Sequence, residues 1–173
     1  VDAPRPTGPG VAAAAAAHRA LAALAALGAT AATAESLTGG LIGATLTAVP
    51  GASATYRGGV VAYATDLKAA LLGVPRDLLE AHGAVHPEVA AAMAEGARLN
   101  LAATFGLAVT GVAGPEPQDG RAVGTVFAAV AGPGGSGRVC ELRLTGDRAA
   151  IRYSTTEQAL SLLAAEVAVI TGK

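Results

Sequence analysis

Four short polar pieces, each carrying a glycine or an arginine, interrupt a chain that is otherwise strongly apolar: "TAESLTGG" at 33–40, "AYATDLKAALLG" at 62–73, "AVTGVAGP" at 108–115 and "TGDRAAIR" at 145–152. Each sits where an apolar, strand-like run gives way to a turn or to a segment patterned as a helix. Strands that alternate with helices cannot pair as hairpins and demand crossovers, so the chain is bound to a sheet covered by helices on both faces. In such sheets the crevice beyond the carboxyl ends of the strands is the usual place for a ligand. The same four pieces therefore constrain both the fold and the site.

The pattern predicts helices over 11–27, 39–49, 66–73, 75–82, 87–104 and 147–170. Strands are predicted over 29–35, 58–64, 105–110, 123–131 and 138–145, with "GPGGSG" joining the last two as a hairpin. Proline opens two of the helices and glycine closes several. The expectation is a three-layer α/β/α sandwich with a mixed, mostly parallel sheet of about five strands. Residues 1–10 read as a flexible tail and residues 11–173 as a single domain.

Composition narrows the function. The 173 residues are 52% hydrophobic and 14% charged, with a net charge of −1, which leaves no basic surface for nucleic acid. Aromatic residues make up 3% and there is no tryptophan, so neither base stacking nor a membrane belt is served. The run from Ala20 to Ala34 is too short and alanine-rich to span a bilayer. The single cysteine, Cys140, and the three histidines, His18, His82 and His86, supply no pair at metal-ligand spacing. One cysteine cannot form an internal disulfide, so a reducing, cytoplasmic setting is expected. Cys140 itself reads as a strand hydrophobe. No metal or cofactor is expected. The alanine-rich helices offer a surface for a homodimer.

In "TAESLTGG", Ser36 is placed at the end of the first strand and Thr38, Gly39 and Gly40 at the start of the next helix. A helix start presents unpaired N–H groups and a positive dipole end, which suit a phosphate or an oxyanion. The plainer reading makes Ser36 or Thr38 an N-cap. Lys68 falls in the first turn of the third helix, where the dipole and burial both disfavour its charge. A neutral lysine beside a serine makes a nucleophile without histidine. Tyr63, expected to close the second strand, can hydrogen-bond into that pair. Thr110 and Gly111 occupy another strand end, and Arg148 and Arg152 the first turns of the last helix. A surface salt bridge accounts for either arginine as readily as an anion does.

These blocks, with "VPGASATYRGGVVAYATDLKAALLGVP", "HGAVHPEVAAAMAEGA" and "VGTV" in the same order, resemble the C-terminal domain of the CinA competence/damage-inducible family, which also occurs as a stand-alone nicotinamide mononucleotide deamidase. The resemblance implies the α/β/α fold and hydrolysis of the carboxamide of nicotinamide mononucleotide to nicotinic acid mononucleotide and ammonia, without a metal, in pyridine nucleotide recycling. It places the nucleophile on Ser36, the lysine on Lys68 and an assisting tyrosine on Tyr63. Substrate binding falls on Thr38, Gly39, Gly40, Thr110, Gly111 and Arg148. The chain departs from the family pattern at Leu37, often cysteine, at Asp66, usually asparagine, at His86, commonly a serine cap, and at Arg121, which replaces a Lys-Pro pair. A carboxylate at Asp66 raises the pKa of Lys68 and so works against a neutral base. The rival reading is a non-catalytic module that binds a nucleotide or a partner. A further alternative is an amidase with the same pair of residues and another small-molecule substrate.

Overall fold

The computed structural model describes residues 9–170 and 172. In chain order the elements are α1 (Pro9–Leu27), β1 (Ala31–Glu35), α2 (Leu41–Thr47), β2 (Tyr56–Val61), α3 (Thr65–Leu72), α4 (Arg76–His82), α5 (Pro87–Asn100), β3 (Phe105–Gly111), β4 (Thr125–Ala131), β5 (Gly137–Arg143) and α6 (Arg148–Ile170). Residues 9 and 10, expected in the tail, belong to the first helix. The rest of the expected tail lies outside the described residues.

The strands form one sheet in the order β2-β1-β3-β4-β5. β1 pairs parallel with β2 and β3, while β4 runs antiparallel to β3 and β5 antiparallel to β4. Only β4 therefore points against the others. The crossovers through α2 and through α3–α5 deliver parallel strands, and the short turn at Pro133–Gly135 makes the one tight reversal.

Alternation along the strands divides the core into two. Phe105, Leu107, Val109, Val126, Ala128 and Val130 face one side, where α1, α2 and α6 cover them. Ala108, Phe127 and Ala129, with Ala32 and Ala34, face the other side and pack beneath α3 and α5. All five residues of β1 are buried, as expected of an inner parallel strand covered on both faces. The α/β/α sandwich is thus the observed architecture, and CinA-type resemblance and sheet pattern agree on it.

Two boundaries differ usefully from expectation. β2 begins at Tyr56 and ends at Val61, two to three residues early, so Tyr63 lies beyond the strand instead of closing it. Tyr56 starts the strand because its ring packs against the α1–α2–α6 side while its hydroxyl meets Thr33 Oγ1 at 2.8 Å. α5 stops at Asn100, because Ala102 takes a left-handed φ of 49° that no helix continues. In α1, the stretch Gly10–Leu27 is long and apolar enough to cross a membrane by length and composition, more than the sequence reading allowed. Here its Ala16, Ala17, Ala20 and Leu24 are fully buried in the core shared with α6.

Candidate active site

Ser36 continues β1 by one more ladder bond, its N–H donating to Val109 O at 3.2 Å. The chain then reverses through two turns, Gly39 N–H to Ser36 O at 3.0 Å and Leu41 N–H to Thr38 O at 3.1 Å. Gly39 and Gly40 both take left-handed φ, 60° and 99°, a consecutive pair that side chains beyond glycine adopt at a cost. From the opposite side Arg152 clamps the loop: its Nε donates to Leu37 O at 3.0 Å and its guanidinium to Thr38 O at 2.9 Å. Arg152 therefore holds backbone. Thr38 is fully buried, and its hydroxyl has no hydrogen-bond partner among the described residues.

The start of α2 is not an open anion site. Glu35, 2% exposed, accepts from the N–H groups of Gly40 at 3.0 Å, Ile42 at 3.0 Å and Gly43 at 2.8 Å. A carboxylate from the preceding strand thus already occupies the place that the sequence reading offered to a phosphate or an oxyanion. The reason is local: a tight glycine turn brings the last residue of β1 back over the first turn of the helix it feeds. Sequence reasoning missed Glu35 because it stands outside the helix and matches no capping motif. Its one signal was a carboxylate among the buried positions of a strand.

Lys68, carried on the first turn of α3, is 1% exposed. Its Nζ lies 3.0 Å from Ser36 Oγ and donates to the carbonyls of Ala62 at 2.7 Å and Tyr63 at 3.4 Å. No carboxylate lies within ion-pair distance of it among the described residues. Burial pulls the amine down from 10.5 to about 8, against the fields of Asp119 and then Asp66, which raise it. The carboxylate at Asp66 therefore does act in the direction expected, but desolvation outweighs it.

Tyr63 does not reach this pair with its hydroxyl. The phenol is exposed and receives a hydrogen bond from Arg148 at 2.8 Å, while only the Tyr63 carbonyl faces Lys68. Arg148 also donates to Gly114 O at 2.6 Å, so it joins the loop after β3 to the end of β2. Thr110 is buried and its hydroxyl donates to Ala84 O at 2.8 Å, which fastens the turn before α5. Gly111 is glycine because a Cβ would meet Thr125 O and Val126 at 2.7 Å across the sheet. The backbone approach there is to β4.

Ser36, Leu37, Tyr63, Thr110, Gly111 and Arg148 nevertheless line one cavity of about 110 Å³, closed by Ala84–Val85 and by Gly114, Glu116 and Gln118. It lies beyond the carboxyl ends of β1 and β3, beside the point where the chain leaves β1 for β2 on one side and β3 lies on the other. Thr38, Gly39 and Gly40 shape its floor loop without lining it. Among the described residues no group of three His, Cys, Asp or Glu is placed to hold a metal ion. The site offers a buried serine–lysine pair, a phenol–guanidinium rim and backbone donors in the turn after Ser36.

Comparison with known proteins agrees with this architecture. The family model for the CinA C-terminal domain matches residues 13–167. A CinA-like protein of Frankia casuarinae is 54% identical over 75% of this chain and 30% of its own length. A putative competence-damage inducible protein of Desulforamulus reducens is 51% identical over 74% of the chain and 31% of its own length. The chain thus spans about a third of the curated relatives it matches. Among solved structures, the competence/damage inducible protein CihA of Agrobacterium tumefaciens superposes with a TM-score of 0.87 at 36% identity, covering 95% of this chain and 99% of that one. A CinA superfamily protein of Klebsiella pneumoniae gives 0.87 at 32% identity, covering 91% and 98%. With a matched family model running nearly end to end over a sheet of the same build, the chain belongs to the CinA C-terminal domain family.

Proposed function

We propose that the chain is an amidohydrolase that cleaves the carboxamide of nicotinamide mononucleotide, with Ser36 as nucleophile and Lys68 as its base. The observation that carries this reading is the 3.0 Å approach of a buried Lys68 amine to Ser36 Oγ with no carboxylate pairing it among the described residues. A neutral amine has two N–H bonds and one lone pair. The carbonyls of Ala62 and Tyr63 are there for the two N–H bonds, and the lone pair is left for the Ser36 hydroxyl proton. The choice of nicotinamide mononucleotide rests on the family resemblance.

In the reaction Lys68 takes the Ser36 proton as Oγ bonds to the carboxamide carbon. The resulting oxyanion needs N–H donors. Those of Gly39 and Leu41 close turns, and those of Gly40, Ile42 and Gly43 serve Glu35, so the donors left in this loop are Leu37 and Thr38. Each well-placed donor is worth about 3–4 kcal/mol to the transition state. The C–N bond breaks, ammonia leaves with the proton held by Lys68, and an acyl-Ser36 ester remains. Water then attacks the ester, again giving its proton to Lys68, and Ser36 Oγ departs with it. Tyr63 and Arg148 stand at the mouth, where the ribose phosphate would lie.

Ammonia release from nicotinamide mononucleotide, with no metal added, tests the reading. The native chain is expected to release it, and Ser36→Ala and Lys68→Ala to lose at least about 100-fold in rate, with Ser36→Ala still binding the nucleotide. No release by a native chain that binds the nucleotide would replace this reading with a non-catalytic binding module.

A further inference from the structure

Asp119 lies in the loop that joins β3 to β4, eight residues beyond the strand end, in the part of the chain that departs from the family pattern. Its carboxylate accepts from Ala84 N–H at 2.8 Å. It fills the space beside Gly83 so closely that a Cβ on Gly83 would stand 2.5 Å from Asp119 Cγ. Ala84 is held a second time, through its carbonyl, by Thr110. Asp119 itself takes a left-handed φ of 51°, a conformation that Asp and Asn accept more readily than other side chains. The residues on either side of this contact, Ala84 and Val85 from one loop and Glu116 and Gln118 from the other, are both walls of the Ser36 cavity.

We propose that Asp119 is a positioning residue: it clasps the 114–122 loop onto the Gly83–Val85 turn and so closes the Ser36 cavity. The proposal deepens the amidohydrolase reading and rests on it for its consequence in turnover, but not for the clasp itself. Two carboxylates act on Lys68, Asp66 from its own helix and Asp119 from the loop, Asp119 more strongly. Of the other charged or titratable side chains around the site, Glu35 is engaged on the N–H groups of α2, and Tyr63 and Arg148 with each other. Glu116 is at the cavity wall.

The chain contains two lysines, Lys68 and Lys173, so a sample labelled with ¹³C at lysine Cε reports Lys68 almost without overlap. The experiment titrates that signal in the native chain, Asp119→Asn and Asp119→Ala, and measures ammonia release from nicotinamide mononucleotide over the same pH range. Asn keeps an oxygen for Ala84 N–H and tolerates the left-handed backbone, while removing the charge. Removing a negative charge destabilises the protonated amine, so the Lys68 midpoint should fall, and the acid limb of turnover should move with it at unchanged KM. Ala also opens the clasp, so KM should rise several-fold, with the Ala84 amide exchanging faster than in the Asn variant. An Ala84 amide equally protected in all three chains, or a KM unchanged in Asp119→Ala, overturns the proposal. Absence of ammonia release by the native chain would sink the amidohydrolase reading alone, since the amide exchange still decides the clasp.

Discussion

A lysine amine that titrates near 8 changes state within the working range of an enzyme. If neutral Lys68 is the base, kcat/KM for nicotinamide mononucleotide should fall about tenfold per pH unit below a midpoint near 8, measured by ammonia release in buffers of constant ionic strength. A flat profile between pH 6 and 8 would remove Lys68 from the proton transfer. Tyr63→Phe separates two roles for the phenol. Since its hydroxyl is held by Arg148 and only its carbonyl faces the lysine, the variant should raise KM while leaving the acid limb in place. A shifted limb would return the phenol to the pair. Ser36 and Lys68 were legible in the sequence because each sits at an element boundary that glycine, threonine and helix periodicity mark. Arg152 was weighed as an anion contact or a surface salt bridge. That it holds the carbonyls of Leu37 and Thr38 depends on a meeting of residues more than a hundred positions apart, and no local pattern encodes that.

Among the elements, α2 depends most on a group outside itself. It is seven residues long, too short to persist alone, and its first N–H groups are satisfied by Glu35. Glu35→Ala would strand three donors, that of Ile42 buried, and should cost about 2–4 kcal/mol in urea unfolding. Loss of less than about 1 kcal/mol would mean that water replaces the carboxylate. Sheet and helix assignments were readable from periodicity, including the late hairpin, yet β2 was misplaced because its start is defined by Tyr56 meeting Thr33 across strands. Close approaches between layers were equally invisible. A Cβ on Gly106 would stand 1.9 Å from Ala94 O, so β3 and α5 touch backbone to side-chain position. Gly106→Ala should therefore destabilise by about 1–3 kcal/mol through overpacking, visible as a lowered urea midpoint with unchanged slope.

For the whole molecule, the two-sided core is unusual in what it encloses. Lys68 heads the side chains that are fully buried, in a company of Phe105, Leu24, Ile42 and Met93. A fall in its pKa from 10.5 to about 8 means that the folded state holds the charged form at a disadvantage of roughly 3 kcal/mol. The sign follows from proton binding. Between pH 8 and 10.5 the unfolded chain keeps the Lys68 proton that the folded chain has lost, so stability rises with pH across that window. The disadvantage is fully present below pH 8 and disappears above 10.5. Lys68→Met has no such proton and leaves every other titrating group in place. The stability of the native chain relative to Lys68→Met should therefore improve by about 2–3 kcal/mol from pH 7 to pH 10, read from paired urea unfolding curves. Any direct loss of the contacts to Ala62, Tyr63 and Ser36 shifts the difference equally at both pH values and cancels. A gap that stays constant would mean that the buried amine keeps an ordinary affinity for its proton, and too little neutral amine would then be present at neutral pH to be the base that Ser36 requires.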